Sequence, residues 1–508
     1  MKSKPSVPRR RFMGTAAAIG LGAELASWPA LAAVTPLSGQ DARVTPDMVR
    51  FRPEIEPIVR LIEETLRDDV IAVAVAELKK GLSYKNLFAG LFLAGIRNIK
   101  PRPVGFKFHA VMVMNSAHEL GQTAPVQDRL LPMFWAFDNF KNSQAQDVKE
   151  GDWTLAPPST QLPKPGQARE DFLRAMDRWD EEGADRAVTA LVRSSGAAGV
   201  MEPIWRMAVR DQRDIGHKAI FAAQSWRTLQ TIGWAHAEPV LRSVAFAMLD
   251  LGGMGGATPG PVGPYQANLA TAAKIRPEWT LGRDDAGATR ALLETLRHAA
   301  PEAAAAAAAA MLNSGVAPGS LWDAVMLSAS ELLMNSPGII ALHATTASNS
   351  LHYIYNASGD DTTRKLALLQ AVGWQPLYRD RTKAQNPVAI DKLEPAGHGP
   401  TPGDEAVGEI FDAVSSDRRK AGELALDYIA RGGRASHVLD AARRLIFRKG
   451  RDSHDYKYAA ALCEESLAAA DHAWRAPMIA AAMAQFPGSK TPDSPLMIRA
   501  REALATLG

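Results

Sequence analysis

The chain has a single cysteine in 508 residues, Cys463. That excludes an internal disulfide and any zinc or iron–sulfur site built on thiolates. Without two cysteines there is no C-x-x-C-H haem attachment either. Long apolar runs are equally scarce. The most apolar stretch beyond the N-terminus, Leu87 to Ile96, is far short of a membrane span and reads as a core helix. Charge is nearly balanced at +3, and no basic stripe carries interleaved aromatics, so the sequence offers no nucleic-acid footprint. Clean strand alternation is rare. No E-x-x-H pair of the di-iron type occurs, and His118-Glu119 is not followed by a histidine at zinc-protease spacing. Gly252 to Gly256 lies between no strand and helix, so it reads as a linker and not as a phosphate loop.

What is present begins at the N-terminus. Arg9-Arg10-Arg11-Phe12-Met13 is a twin-arginine pattern, followed by a mildly apolar stretch and the small-x-small site Ala30-Leu31-Ala32-Ala33. Residues 1–33 are therefore expected to be a signal that carries the folded protein to the periplasm or outside. An exported chain with one cysteine must be stable through packing alone.

Beyond the signal the periodicity is helical. It recurs over Glu54–Leu78, Glu170–Val192, Leu292–Leu312 and Ala406–Ile429, with eight successive alanines from Ala303 to Ala310. Proline and glycine mark linkers at Ala156–Gln167, Gly252–Tyr265 and Glu394–Gly403.

The chain also resembles itself. His109, Asn115 and His118 return as His343, Asn349 and His352 at one offset. His217 with its helix returns as His454, and His236 as His472. Eight of the eleven histidines thus fall into matched pairs. The repeat predicts an N-terminal helical segment (34–80), a first helical half (81–255), a linker with the Ala-rich helix (256–314), a second half (315–490) and a C-terminal helix (491–508). The expected fold is all-α, with two pseudo-symmetric halves of antiparallel helix pairs around a central cavity.

Imidazole is the commonest protein metal ligand and binds when neutral, and a helix N-terminus biases it that way. Two constellations compete. In one, His109, His217, His343 and His454 open four helices and share a metal. In the other, Asn115 and Asn349 bind a substrate oxygen and His118 and His352 act as acid or base, with Trp226 and Cys463 in the corresponding slots. Positions nine apart on a regular helix point about 180° from each other, so His109 and His118 cannot share a site on one unbroken helix. His236 and His472 are secondary candidates.

Helices opening with histidine and continuing in small and apolar residues, as in Leu342-His343-Ala344-Thr345 and more loosely Gly216-His217-Lys218-Ala219, resemble the repeated histidine segments of the questin oxidase-like family. The resemblance covers about a third of the chain. It implies an all-helical oxygenase acting on polycyclic aromatic molecules. That family is linked to cytosolic NADPH, which an exported protein would lack, so a different reductant or reaction is implied here. The expectation is an exported oxidoreductase or oxygenase that uses a histidine-bound transition metal, iron as non-haem or non-covalent haem, on an apolar or aromatic small molecule. The alternative is a non-enzymatic helical-repeat protein that binds metal, haem or an apolar ligand. Neither reading calls for nucleic acid or an integral membrane segment after cleavage.

Replacing Arg9 and Arg10 by lysine should leave precursor in the cytoplasm. Cell fractionation showing normal export of the double-lysine chain would contradict the twin-arginine reading.

Overall fold

The computed structural model describes residues 48–252, 258–384, 386–395, 397 and 401–506. The predicted signal, and the first part of the 34–80 segment, lie outside them. Among the described residues there is no β-strand, only an isolated bridge between Arg283 and Val316. The protein is all-α. No described helix is long and apolar enough to cross a membrane.

In chain order the helices are α1 (Glu56–Glu64), α2 (Val70–Lys79), α3 (Tyr84–Asn98), α4 (His109–Met112), α5 (Met114–Gln122), α6 (Leu131–Glu150), α7 (Ala168–Asp177), α8 (Glu181–Ser194), α9 (Ala197–Arg210), α10 (His217–Ile232) and α11 (Ala237–Met248). There follow α12 (Tyr265–Ala272), α13 (Ala286–His298), α14 (Pro301–Ser314), α15 (Pro318–Asn335), α16 (Ile339–Ala357), α17 (Asp361–Arg379), α18 (Asp404–Val414), α19 (Arg418–Ala430), α20 (Ala435–Lys449), α21 (Ser453–Ala468), α22 (Arg475–Ala482) and α23 (Pro495–Ala505).

Each of the four long helical signals proves to be two helices. Side-chain caps restart the chain in two of them. Asp180 accepts from the Gly183 amide to begin α8, and Asp417 accepts from the Lys420 amide to begin α19. Proline at the first position of α14 breaks the Ala-rich run away from α13. The resulting pairs α7–α8 and α18–α19 pack on one another as helical hairpins.

Four segments form the centre: α4–α5, α10, α16 and α21. Each packs on two neighbours, in the cyclic order α5, α10, α16, α21 and back to α5. The helix that precedes each one in sequence (α3, α9, α15, α20) packs against its outside. The apolar side chains join one continuous core that runs through all these layers. Some details echo the internal repeat. Gly81 and Gly315 take the same left-handed backbone, φ 100° and 99°, just before α3 and α15. Phe88 of α3 stacks on His118, and Trp322 of α15 stacks on His352.

Gly216 shows why close approach is built in. It caps α10 with φ 88°, and a Cβ there would stand 2.3 Å from the Cβ of Ala347 on α16. Only a bare Cα lets these two central helices touch. Gly216→Ala combines left-handed strain with overpacking and should cost about 2–5 kcal/mol. Chemical denaturation measures it. A loss below about 1 kcal/mol, the mid-helix Gly/Ala scale, would mean that the two helices do not meet there.

Candidate functional site: a four-histidine layer

The connectors decide where the histidines arrive. His109 and His217 are the first residues of α4 and α10, and His454 is the second residue of α21. His343 differs from expectation, because α16 opens at Ile339, one turn earlier. The segment Asp211–Gly216 that delivers His217 is pinned by buried charge. Lys218 and Arg213 both donate to Asp211 Oδ2, at 2.9 and 2.8 Å, and Lys218 also donates to the Asp250 carbonyl at 2.5 Å. Gly105, at φ 124°, faces the His217 ring. A Cβ there would come within 3.1 Å of Cε1. His454 is set by a capping box in which Asp452 and Asp455 hold the start of α21.

The four rings form a closed square. Centroid separations along its sides are 4.9 Å (His109–His217), 4.5 Å (His217–His343), 5.0 Å (His343–His454) and 4.4 Å (His454–His109). The His109–His343 diagonal is 6.1 Å. One ligand nitrogen from each of His109, His217 and His343 lies within 4.8 Å of the others. His217 and His343 are buried, and His109 and His454 are half-buried.

Hydrogen bonds fix the tautomers of two rings. A carbonyl can only accept, so His217 Nδ1 donates to Asp214 O at 2.5 Å and His343 Nδ1 donates to Ile339 O at 2.7 Å. Their Nε2 atoms face each other at 2.9 Å. His454 Nδ1 is held by the Asp452 carboxylate, and its Nε2 is buried with no hydrogen-bond partner. His109 Nδ1 accepts from the Lys457 Nζ at 2.6 Å. Burial holds the pKa of His109, His217 and His343 well below the ordinary range and lowers that of His454. Burial also brings the Lys457 ammonium down to about 7.

The second expected constellation gathers only in part: Asn115 reaches Glu119 and Asn349 reaches Glu464, two carboxylates that Arg227 joins, whereas its histidines do not meet. His118 and His352 lie nine residues beyond His109 and His343, and they turn away from the axis onto different outer helices, α3 and α15. His118 meets the Tyr84 hydroxyl at 2.9 Å, and burial lowers its pKa to about 4. Burial works to lower His352 too, but the bonded Glu465 carboxylate at 2.8 Å overrides it and raises the pKa. Trp226 sits edge-on to Trp205 and Trp234. Cys463 is half-buried, with its thiol pushed up to about 11 by burial. Asn115 is buried, and Asn349 donates to Glu464 and Glu465 at 2.8 and 2.9 Å. His236 ends the short turn before α11, and His472 opens the one before α22. Among the described residues no hydrogen bond or ring contact ties either to the square. A pocket lies apart from the expected site residues. It holds about 580 Å³ and is bounded by Trp179, Arg206, Arg210, Tyr265 and Asp360.

A second polar layer was not anticipated. It lies ten residues beyond each histidine: Glu119, Arg227, Tyr353 and Glu464. Arg227 donates to Glu119 at 3.2 Å and to Glu464 at 2.6 Å, and its guanidinium lies 3.9 Å from the Tyr353 ring centre. The four central segments meet in register at both ends, so they run parallel. The Glu119 side chain is 41% exposed and that of Glu464 25%, so this layer opens to solvent. The common spacing of ten was visible in the sequence, but the residues differ in kind, so comparing identities did not expose it.

The His118 shift sets a pH dependence. Its unfolded form takes up a proton near 6.5 and its folded form near 4. Stability is therefore complete above about 6.5 and falls as pH drops toward 4, by about 3 kcal/mol from this group. His118→Phe should flatten that part of the stability–pH curve in metal-free protein. Parallel curves would contradict the assignment.

Compared with known proteins, the chain matches no family model, no curated protein and no solved structure.

Proposed function

We propose that the chain is a metal-dependent oxidoreductase of the oxygenase kind, exported, whose histidine layer holds a transition ion, iron first, against an apolar or aromatic small molecule. One observation carries the metal reading. Two buried imidazoles have their Nδ1 protons committed to carbonyls and point bare Nε2 lone pairs at each other across 2.9 Å. Lone pairs so placed repel unless a cation stands between them. Burial disfavours an imidazolium there. A metal ion satisfies both nitrogens, and a ring nitrogen of His109 lies close enough to join them. Two nitrogens on one tetrahedral ion stand about 3.3 Å apart for bonds of about 2.0–2.1 Å, so the rings need move only about 0.4 Å. The carbonyl and carboxylate bonds to Nδ1 are the outer support that such ligands use. An all-imidazole set suits iron, copper, zinc or nickel.

The ring spacings favour a bare ion over haem, since imidazoles in mutual contact leave no width for a porphyrin. Three ligands, His109, His217 and His343, would leave a position open for chemistry, as catalytic metal sites do. Four ligands would close the ion, and the nearness of His454 to His109 favours the second reading, a non-enzymatic metal-binding protein. The oxygenase reading rests on the family resemblance and on the aromatic side chains Trp205, Trp226, Trp234 and Tyr353 toward the open end of the core.

Protein purified after native export should carry about one transition ion per chain by elemental analysis. His217→Ala and His343→Ala should each weaken metal retention at least about tenfold with helical content intact. His454→Ala separates the readings: retained metal supports the open, catalytic set, and loss supports the closed one. Wild-type protein without a transition metal contradicts both.

A further inference from the structure

The Arg227 layer stands ten positions beyond the histidine layer along each central segment, about 15 Å of axis. Positions three and seven beyond each histidine share its face. At the third position stand Met112, Ile220, Thr346 and Lys457. At the seventh stand Ser116, Gln224, Ser350 and Ala461. Thr346 is 4% exposed, Ser116 0% and Gln224 8%. Thr346 Oγ1, Ser116 Oγ and Gln224 Oε1 have no hydrogen-bond partner, and neither has Arg227 Nε at the far end. Ser350, by contrast, spends its hydroxyl on the Thr346 carbonyl.

One orphaned buried polar atom costs about 1–3 kcal/mol, and native proteins keep few of them. Here several fall on the same inward stripe of parallel helices, between a metal-ligating layer and a solvent-open one. Other unpartnered atoms lie elsewhere, Ser225 Oγ and Thr345 Oγ1 among them on the same helices; those on the stripe are set apart by standing in succession between two polar layers. Water is the chemistry that serves a threonine hydroxyl, a serine hydroxyl and an amide oxygen in succession. Met112, Ile220 and Ala461, at the matching positions of the stripe, are apolar, so the polar atoms form one line along it.

We propose that a single file of about five water molecules, spaced at about 2.8 Å, fills the interior of the central core and joins the histidine layer to solvent at Glu119 and Glu464. It passes Thr346, Ser116 and Gln224. With a metal in the histidine layer, the file is the route by which protons and small anions reach it, so this role rests on the metal reading. The positive ends of the helices and Lys457 favour an anion at that end.

Two measurements test the file. Crystals of the wild-type protein diffracting to about 1.5 Å should show water within about 3.2 Å of Thr346 Oγ1, Ser116 Oγ and Gln224 Oε1. This holds with or without metal, and a dry column overturns the proposal. The double variant Thr346→Val, Gln224→Met keeps volume and removes the polar atoms. In copper(II)-loaded protein, azide association followed optically should slow at least about tenfold in this variant, with copper content unchanged. An unchanged rate overturns the route. If wild-type protein takes no metal, the metal reading fails, and the crystallographic waters alone decide the file.

Discussion

The structure turns on two imidazole nitrogens that face each other across 2.9 Å with no proton between them. In water such a pair would separate or take up a proton. Here neither is easy. His343 is fully buried and His217 nearly so, and each ring is tied through Nδ1 to the carbonyl of its own helix start. The protein has thus paid for a polarity that apolar packing does not need. A cation shared by the rings is the simplest term that offsets it.

The surroundings read as the means of holding that arrangement. Gly216 removes a side chain so that α10 can touch α16, and Gly105 removes another so that the chain can pass over the His217 ring. Asp211, Arg213 and Lys218 lock the connector whose carbonyl sets the His217 tautomer. Asp452 does the same for His454 through a helix cap. Breaking buried pairs of this kind leaves uncompensated charge, so the network is rigid by necessity. At the other end of the core, Arg227 is clamped by Glu119 and Glu464 and covered by Tyr353. The parallel core is therefore tied at both ends by polar groups and filled by apolar ones between outer and inner helices.

The all-α class was legible because helical periodicity is local and strand alternation was missing. The convergence of His109, His217, His343 and His454 was legible because one rare polar residue returned at matched offsets. The length of each helix was less so. Asp180 and Asp417 cap new helices inside apolar patterns that continue unbroken, and the pattern alone does not register the break. The pairing of His118 with His352 as one site read spacing along a helix correctly, but not the identity of the neighbour. Nine residues from the axis-facing histidine, each meets an outer-helix aromatic instead. The Glu119–Arg227–Tyr353–Glu464 layer shares a position and no residue type, so it emerges only once the helices are placed side by side. Equivalence of the two halves as whole bodies is a separate matter from these local echoes.

The central claim is that the histidine layer binds a metal through imidazole nitrogen. X-ray absorption at the metal edge of protein purified from its native host addresses it directly. The account predicts a first shell of three or four nitrogen scatterers at about 2.0–2.1 Å with the outer-ring scattering of imidazole, reduced in His343→Ala. A first shell of oxygen or sulfur alone, or one identical in His343→Ala, would contradict it.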